Sequence, residues 1–193
     1  MHKNMTVIVG HPDPESYCHA LAQAYIRGAK AAGADVKLLD LAAMRFDPIL
    51  QYGYRKRTEL EPDLIQAREA ILQADHLVWV YPTWWGTMPA LLKGFIDRVF
   101  LPGFAFASAP DSLAVNKLLK GKTARLLVTM DSPSWYYRLA LRRAGHVIMK
   151  RGILQFSGIR PVRITEINKV KMLSAEKRKH WLEKAEALGA KLA

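Results

Sequence analysis

Short, fully apolar runs alternate along this chain with segments whose apolar residues recur at helical spacing, and this alternation constrains the fold more than any other feature. The apolar runs predict five strands, at residues 5–10, 36–40, 76–81, 123–129 and 162–167. The helical patterns occupy residues 16–32, 64–74, 90–99 and 137–151, with a last one that begins after the cap residue Ser174. Strands that are apolar throughout and joined through helices indicate a parallel sheet covered on both faces.

Five strands and five helices in this order fit the α/β class, as a flavodoxin-like, doubly wound parallel sheet of order 2-1-3-4-5. The 193 residues, half of them hydrophobic, suffice for one such domain over residues 1–193. One segment, residues 100–121, shows no clear periodicity and is predicted to be a functional loop. Ligands of such sheets bind beyond the carboxyl ends of the strands, near the point where the strand order reverses. The loops that follow Gly10, Tyr81 and Thr129 therefore form the candidate site.

The composition narrows the range of functions. Cys18 is the only cysteine, which excludes an intramolecular disulfide and a CxxC centre. Metal-ligand spacing is absent among the histidines at positions 2, 19, 76 and 180, so no metal site is predicted. The formal net charge of +12 favours anionic partners, but the basic residues form small separate groups, and nucleic-acid binding is not predicted. The chain lacks an export signal and an apolar run of bilayer length, so a cytoplasmic protein is expected.

The first loop, residues 10–20, has the features of a phosphate site. Pro12 and Pro14 restrict its backbone, and Ser16 stands at the N-cap position of the first helix. The amides that follow Ser16, its hydroxyl and the helix dipole all attract phosphate. His11 can add a donor, and a positive charge when protonated. A plain helix cap without a ligand is the alternative, and neither GxGxxG nor GxxxxGK[ST] occurs here.

The second loop, residues 81–90, holds adjacent tryptophans between a proline and a glycine. Alternating burial would leave Trp84 or Trp85 partly exposed, and an exposed large aromatic side chain usually has a ligand to contact. A flat, partly apolar ring system is a suitable ligand, with backbone amides from Thr83 to Gly86 bonding its polar edge. The alternative is that both tryptophans anchor the loop to the core.

These two loops resemble a known family. The run His11-Pro-Asp-Pro-Glu-Ser16, followed by Tyr17 and an Ala-Leu helix start, is similar to the first flavin loop of the NAD(P)H:quinone reductases. This family includes the DT-diaphorase type and shorter bacterial relatives. The segment from Pro82 to Val99 is similar to the family pattern P-x-x-W-x-x-x-P-A-x-L-K-G-x-x-D-R-V. The two matches lie at corresponding positions of the fold, and the resemblance covers nearly the whole chain.

The resemblance implies a redox function. A flavin, FMN or alternatively FAD, would take a hydride from NAD(P)H at its N5 atom and pass it to a quinone-like acceptor. The implied cofactor-binding residues are His11, Ser16, Tyr17, Cys18, Ala20, Pro82, Thr83, Trp84, Trp85, Gly86, Thr129 and Asp131.

The resemblance also implies partners. A homodimer is expected, with part of residues 100–121 near an active site shared between the chains. The helix that carries Lys93, Asp97 and Arg98 lies at the dimer interface in this family, which makes Asp97 and Arg98 candidates for interchain partners, whereas Lys93 and Asp97 also fit a surface ion pair. Because similar short proteins regulate potassium-efflux transporters, a flavin-binding ancillary subunit of such a transporter is the alternative function.

The third loop departs from the family pattern. Larger members have a T-T-G-G stretch and then a tyrosine near the flavin, whereas residues 130–132 of this chain contain no glycine. Reduction of a flavin builds negative charge at its N1–C2=O edge, so a donor placed there would assist hydride transfer. Tyr136 and Tyr137 are both catalytic candidates, and the sequence does not choose between them. They also fit a plain helix start, and His146 on the same helix is predicted to be structural.

Overall fold

The computed structural model describes residues 3–108 and 115–191. The elements in chain order are β1 (Asn4–Val9), α1 (Tyr17–Ala31), β2 (Asp35–Asp40), α2 (Pro62–Gln73), β3 (His76–Pro82), α3 (Ala90–Val99), β4 (Phe106–Ser108), β5 (Val115–Lys117), β6 (Thr123–Thr129), α4 (Ser134–Leu139), α5 (Ala144–Val147), a π-type helix (Ile148–Gln155), β7 (Val162–Ile167), a 3₁₀ turn (Val170–Met172) and α6 (Ala175–Ala190). None of the helices in these described ranges is long and apolar enough to cross a bilayer.

The central sheet has five parallel strands in the order β2-β1-β3-β6-β7. Numbered among themselves, these strands give the order 2-1-3-4-5, so the predicted flavodoxin-like α/β fold is confirmed. All seven residues of β3 are buried, because helices cover both faces of the sheet around it. The reversal of strand order falls between β1 and β3, which brings the loops after these strands to one edge.

Alternating side chains of the central strands feed two separate cores. Val7 and Val78 face α1 and α6, whereas Ile8 and Trp79 face α2 and α3. A Phe95 ring of α3 packs edge-on against Trp79, with 6.4 Å between ring centroids. Each core is continuous from the sheet to its helix layer, so the strand ends that carry the candidate site are held from both sides.

Two glycines let α1 and α6 approach at backbone distance. A Cβ atom on Gly28 would lie 1.9 Å from the carbonyl oxygen of Glu186, and one on Gly189 would lie 2.1 Å from that of Tyr25. No side chain larger than hydrogen fits at either position. The helix that begins at the candidate site is therefore packed directly on the last helix of the domain.

Two predicted segments differ from the structure. Residues 100–121 contain a short antiparallel hairpin, β4 with β5, instead of an irregular loop; residues 109–114 of this segment lie outside the described residues. The predicted helix over residues 137–151 is divided, because Arg142 and Arg143 adopt left-handed backbone angles, with φ of +46° and +53°. Helical hydrogen bonding stops at that turn, and the helix resumes as α5 and the π-type segment.

Arg98 anchors the long connection between β2 and α2 from inside. Its guanidinium is buried and donates hydrogen bonds to the carbonyl oxygens of Asp47 and Glu59 and, at 2.8 Å, to the carboxylate of Glu61. Burial opposes ionisation of Glu61, but hydrogen bonds from the Asp47 amide and from Arg98 lower the pKa of that carboxyl. The prediction that Arg98 bonds to a partner chain was therefore wrong, because its guanidinium is buried and bonded within its own chain. Lys93 and Asp97 form the surface ion pair that their spacing predicts, at 2.8 Å.

Replacing the buried cation tests this anchor. Arg98→Met is expected to lower the free energy of unfolding by about 3 kcal/mol, because three acceptors of the connection lose their donor inside the protein. The matched control is Lys93→Met on the same helix, which removes an exposed ion pair and is expected to cost less than about 0.5 kcal/mol. Urea unfolding midpoints at unchanged slope measure both. Equal losses in the two variants would contradict the anchoring role.

Candidate functional site

The three candidate loops are joined by backbone hydrogen bonds at the carboxyl edge of the sheet. The amide of Gly10, directly after β1, donates to the Val80 carbonyl of β3 at 2.8 Å. The amide of Thr83, directly after β3, donates to the Thr129 carbonyl of β6 at 2.7 Å. The parallel register therefore continues one residue beyond the strands, and the loops leave the sheet side by side.

The first loop presents donors around the start of α1. Ser16 has the extended backbone of an N-cap, and its hydroxyl oxygen accepts the His19 amide at 3.4 Å, as its position predicted. Among the described residues, nothing accepts from the amides of Tyr17 and Cys18, which therefore remain free at the helix start. Three groups with the polarity that an anion requires lie together at this end of the helix.

His11 connects this helix start to the second loop. Its Nδ1 atom accepts the Asp13 amide at 3.0 Å, so in the neutral ring the proton is on Nε2. The ring lies edge-on to Trp84, with 5.4 Å between centroids. Partial burial lowers the pKa of His11, more than the nearby Asp13 raises it. His11 is thus a neutral N–H donor near pH 7, and the positive charge proposed from sequence is disfavoured.

Other predicted side chains of this loop point away from a ligand. The Tyr17 hydroxyl donates to the Arg178 carbonyl at 2.7 Å, beside α6. The Cys18 thiol lies 3.3 Å from the Thr129 hydroxyl, and the side chains of Cys18 and Thr129 are both buried. The Ala20 amide donates to the Ser16 carbonyl at 3.3 Å as part of the helix. Tyr17 and Cys18 can therefore contribute backbone amides only, and the amide of Ala20, a predicted cofactor-binding residue, is already used inside α1.

The second loop turns sharply and exposes both tryptophans. The amide of Trp84 donates to the Thr87 carbonyl at 2.8 Å, and that of Thr87 returns to the Trp84 carbonyl at 3.1 Å. Between them, Trp85 and Gly86 have φ of +49° and +80°, which an L-residue such as tryptophan adopts only at a cost. Trp84 is 43% exposed and Trp85 fully exposed. The interpretation of these tryptophans as core anchors is therefore wrong.

The same turn limits which amides can bind a ligand. Thr83 and Trp84 use their amides within the protein, so only those of Trp85 and Gly86 lack an acceptor among the described residues. Pro82 is buried at the end of β3 and has no amide hydrogen. Of the four amides predicted for the polar edge of a ring, two remain free and two hold the turn.

The third loop separates the two tyrosine candidates. Tyr137 is 1% exposed, and its hydroxyl donates to the Gly86 carbonyl at 3.1 Å. Tyr136 is 43% exposed, with its ring edge-on to that of Trp135. Tyr137 thus supports the second loop and offers no hydroxyl to a ligand, which leaves Tyr136 as the candidate. Asp131, predicted to bind the cofactor, accepts the Lys171 amide at 3.0 Å.

Sequence reasoning missed two side-chain clusters beside these loops. His146 is buried against the Tyr137 ring, 3.5 Å from the Glu166 carboxylate, which Arg143 also contacts at 3.2 Å. Burial lowers the pKa of His146, more than Glu166 raises it. The second cluster joins Ser16, His19 and Asp40. Within this cluster, Ser16 and His19 have the i, i+3 spacing of a helix cap. That spacing is the only part of the two clusters that the sequence could have revealed.

Comparison with known proteins agrees with this geometry. A family model described as the flavodoxin-like fold matches residues 3–192. The chain belongs to this flavodoxin-like family. An uncharacterized NAD(P)H oxidoreductase of Haemophilus influenzae is 29% identical over 187 residues, 94% of this chain and 92% of that protein.

Two further proteins that are similar to this chain extend the comparison. NAD(P)H dehydrogenase [quinone] 1 of Cavia porcellus is 28% identical over 79% of this chain, which spans less than two thirds (63%) of that enzyme. The crystal structure of Smu.1420 from Streptococcus mutans UA159 has a TM-score of 0.85 at 30% identity, covering 97% of this chain and 98% of that one. The family resemblance inferred from the two loop motifs is confirmed.

The strained turn gives a first prediction for the site. Trp85→Asn is expected to stabilise the ligand-free protein by about 1 kcal/mol, because asparagine tolerates the left-handed backbone and the fully exposed ring contributes no burial. Trp135→Asn, a substitution at an exposed tryptophan in α4, should bring no gain. Thermal unfolding of both variants without flavin measures the difference, and a destabilised Trp85→Asn protein would contradict the assigned strain.

The lone cysteine gives a second prediction. Burial raises the pKa of Cys18 to about 11, although the Thr129 hydroxyl opposes the shift. At pH 8 the thiol is therefore protonated as well as inaccessible, and a disulfide reagent such as DTNB should react with the native protein at least 100-fold more slowly than with the urea-unfolded chain. Comparable rates in the two states would show that the α1–β6 contact opens.

Proposed function

We propose that this chain is an FMN-dependent NAD(P)H:quinone oxidoreductase. The observation that carries the proposal is the convergence of two different binding surfaces at one edge of the sheet. The start of α1 offers free amides and the Ser16 hydroxyl, and the adjoining turn offers two exposed tryptophans and two free amides. A phosphate tail and a flat ring joined in one molecule fit these two surfaces, and FMN has both.

The phosphate end of the proposal rests on N–H donors that lack an acceptor among the described residues, together with the Ser16 hydroxyl, whose neighbour in the ligand-free protein is Nδ1 of His19. The Tyr17 and Cys18 amides, the Ser16 hydroxyl and the His11 Nε2–H group would hold the phosphate, with the positive end of the α1 dipole behind them. The net charge of +12 on the whole chain attracts phosphorylated ligands and NAD(P)H. FMN is preferred over FAD because the described loops offer one phosphate site of this kind.

The ring end of the proposal rests on the exposure of two tryptophans, for which the described residues offer no other explanation. Trp84 and Trp85 would frame the ring and exclude water, and the Trp85 and Gly86 amides would donate to its polar edge. A bound flavin supplies the acceptor and donor of the hydride. Tyr136, the exposed tyrosine of the two, would donate to the edge where negative charge develops, and Tyr137 would hold the Gly86 turn in position.

The homodimer implied by the resemblance stays part of the proposal. Large apolar side chains are exposed in the segment that follows the third loop, namely Trp135, Leu139, Val147 and Ile148, in addition to the tryptophans of the second loop. A second copy that covers them would shield the ring from water and bury apolar area. The quinone-like acceptor would enter the same aromatic space after the nicotinamide leaves.

Paired cap variants test the phosphate site. Ser16→Ala is expected to weaken FMN binding about tenfold, because a hydrogen bond to a charged group is lost, and to leave riboflavin binding unchanged. Ser174→Ala is the matched control: Ser174 caps α6 in the same way, accepting the Lys177 amide at 3.3 Å, but lies outside the three loops. Fluorescence titrations with both ligands measure the effect. Equal weakening by the two variants would assign Ser16 a purely structural role.

Turnover tests the reaction class. Protein loaded with FMN is expected to oxidise NADPH or NADH when menadione is present, with kinetics in which the two substrates alternate at one site. A protein that takes up neither FMN nor FAD would refute the proposal. A protein that binds FMN tightly but oxidises no nicotinamide would instead favour the ancillary role in a potassium-efflux transporter.

A further inference from the structure

A chain of hydrogen bonds connects the phosphate end of the site to the edge of the sheet. The Ser16 hydroxyl oxygen lies 2.9 Å from Nδ1 of His19, and Nε2 of the same ring lies 2.9 Å from the Asp40 carboxylate. The carboxylate oxygen also accepts the Ala42 amide at 3.1 Å. His19 is nearly buried between its two partners, so its ring is held by hydrogen bonds at both nitrogens.

These partners determine where the protons are in the ligand-free protein. An ionised carboxylate only accepts, so Nε2 of His19 carries a hydrogen and donates it to Asp40. In the neutral ring Nδ1 is then an acceptor, and the Ser16 hydroxyl must donate to it. The same hydroxyl oxygen accepts the His19 amide through one lone pair. The hydroxyl hydrogen of Ser16 is therefore occupied before any ligand arrives.

A bound phosphate dianion requires the opposite arrangement. Its oxygens only accept, so Ser16 can bond to it only by turning its hydrogen away from His19. Two lone pairs, on Ser16 and on Nδ1, would then face each other at 2.9 Å. The other neutral tautomer of His19 gives no relief, because it would place a lone pair of Nε2 against the Asp40 carboxylate.

We propose that His19 takes up one proton from solvent when a phosphate monoester binds at the start of α1, which makes His19 a positioning residue for the phosphate. The inference rests on the proposed function, since FMN is the phosphate ligand in question. One N–H bond forms, at Nδ1, and the O–H or N–H bond of the solvent acid that supplies the proton breaks, which leaves its conjugate base in solution. Ser16 then accepts from both the amide and Nδ1 of His19 and donates to the phosphate, so all its valences are satisfied.

The charges around His19 favour this protonation more strongly when phosphate is bound. Asp40 of β2 stabilises the imidazolium in both states, whereas the His11 ring, at 6.5 Å, opposes it if it is itself protonated. A phosphate dianion beside Ser16 adds two negative charges on the open side of the ring. The proton and the phosphate therefore bind cooperatively, and FMN affinity should fall as the pH rises.

Proton-linked calorimetry measures this coupling directly. FMN is titrated into the full-length protein at about pH 8, where its phosphate is fully ionised, in two buffers with different ionisation enthalpies. The difference in binding enthalpy gives the number of protons taken up, which is expected to be close to one. Riboflavin, which lacks the phosphate, should bind without proton uptake. Between pH 7.5 and 9 the FMN dissociation constant should rise up to tenfold per pH unit.

Three variants assign the proton to a side chain. His19→Gln should abolish the uptake and flatten the pH dependence of FMN affinity, while Asp40→Asn, which keeps an acceptor for Nε2–H but removes the charge, should reduce both. His11→Gln, at the other histidine of the loop, removes a proposed phosphate donor and should weaken FMN binding, but the proton uptake per bound FMN should remain unchanged. In the wild-type protein, ¹⁵N NMR should show His19 with one protonated ring nitrogen before FMN is added and two afterwards.

The outcomes separate this inference from the proposed function. If the wild-type protein binds no FMN, the function itself fails. If FMN binds without proton uptake, or if the uptake is the same in wild type and His19→Gln, the function stands and the role of His19 is overturned. The NMR experiment on wild-type protein decides the matter even if His19→Gln does not fold.

Discussion

Hydrogen bonding between β1, β3 and β6 continues past the ends of these strands, and the whole candidate site depends on that continuation. The bonds from Gly10 to Val80 and from Thr83 to Thr129 fix where three loops begin, before any side chain contributes. Parallel strands alone would bring the loops to one edge, but the added bonds determine which amides are used up and which point outward. The helix start, the indole pair and the tyrosine segment are arranged from this common base.

The site divides its polar groups between support and function. Each loop uses most of its hydrogen-bonding capacity internally: His11 accepts from Asp13, Trp84 and Thr87 close their own turn, and Tyr137 holds Gly86. Among the described residues of the three loops, amides without acceptors lie at the start of α1 and in the turn that carries the exposed indoles. This division resembles a preorganised site, in which the cost of arranging donors is met during folding and little reorganisation is needed when a ligand arrives.

The strands and most helices follow from the sequence because long apolar runs and regular periodicity reflect burial directly. The β4–β5 hairpin could not be predicted, because strands of three residues are too short to show a hydrophobic pattern. The break at Arg142 and Arg143 was not predictable either, because no glycine or proline marks it. Adjacent residues of a helix point in directions about 100° apart, so the choice of Tyr136 over Tyr137 needed the structure. His19 and Asp40 are 21 residues apart, and only the fold brings them together.

The close contact of Gly28 with α6 has a consequence for how far a ligand's influence extends. With main-chain atoms touching main-chain atoms, α1 cannot tilt or slide unless α6 moves as well, and the bond from Tyr17 to Arg178 ties the two elements at the ligand end. The last turns of α6 thus support the position of α1, although they do not contact the candidate site. Removing these turns would loosen the start of α1, where the phosphate is proposed to bind, although every residue of the candidate site would still be present.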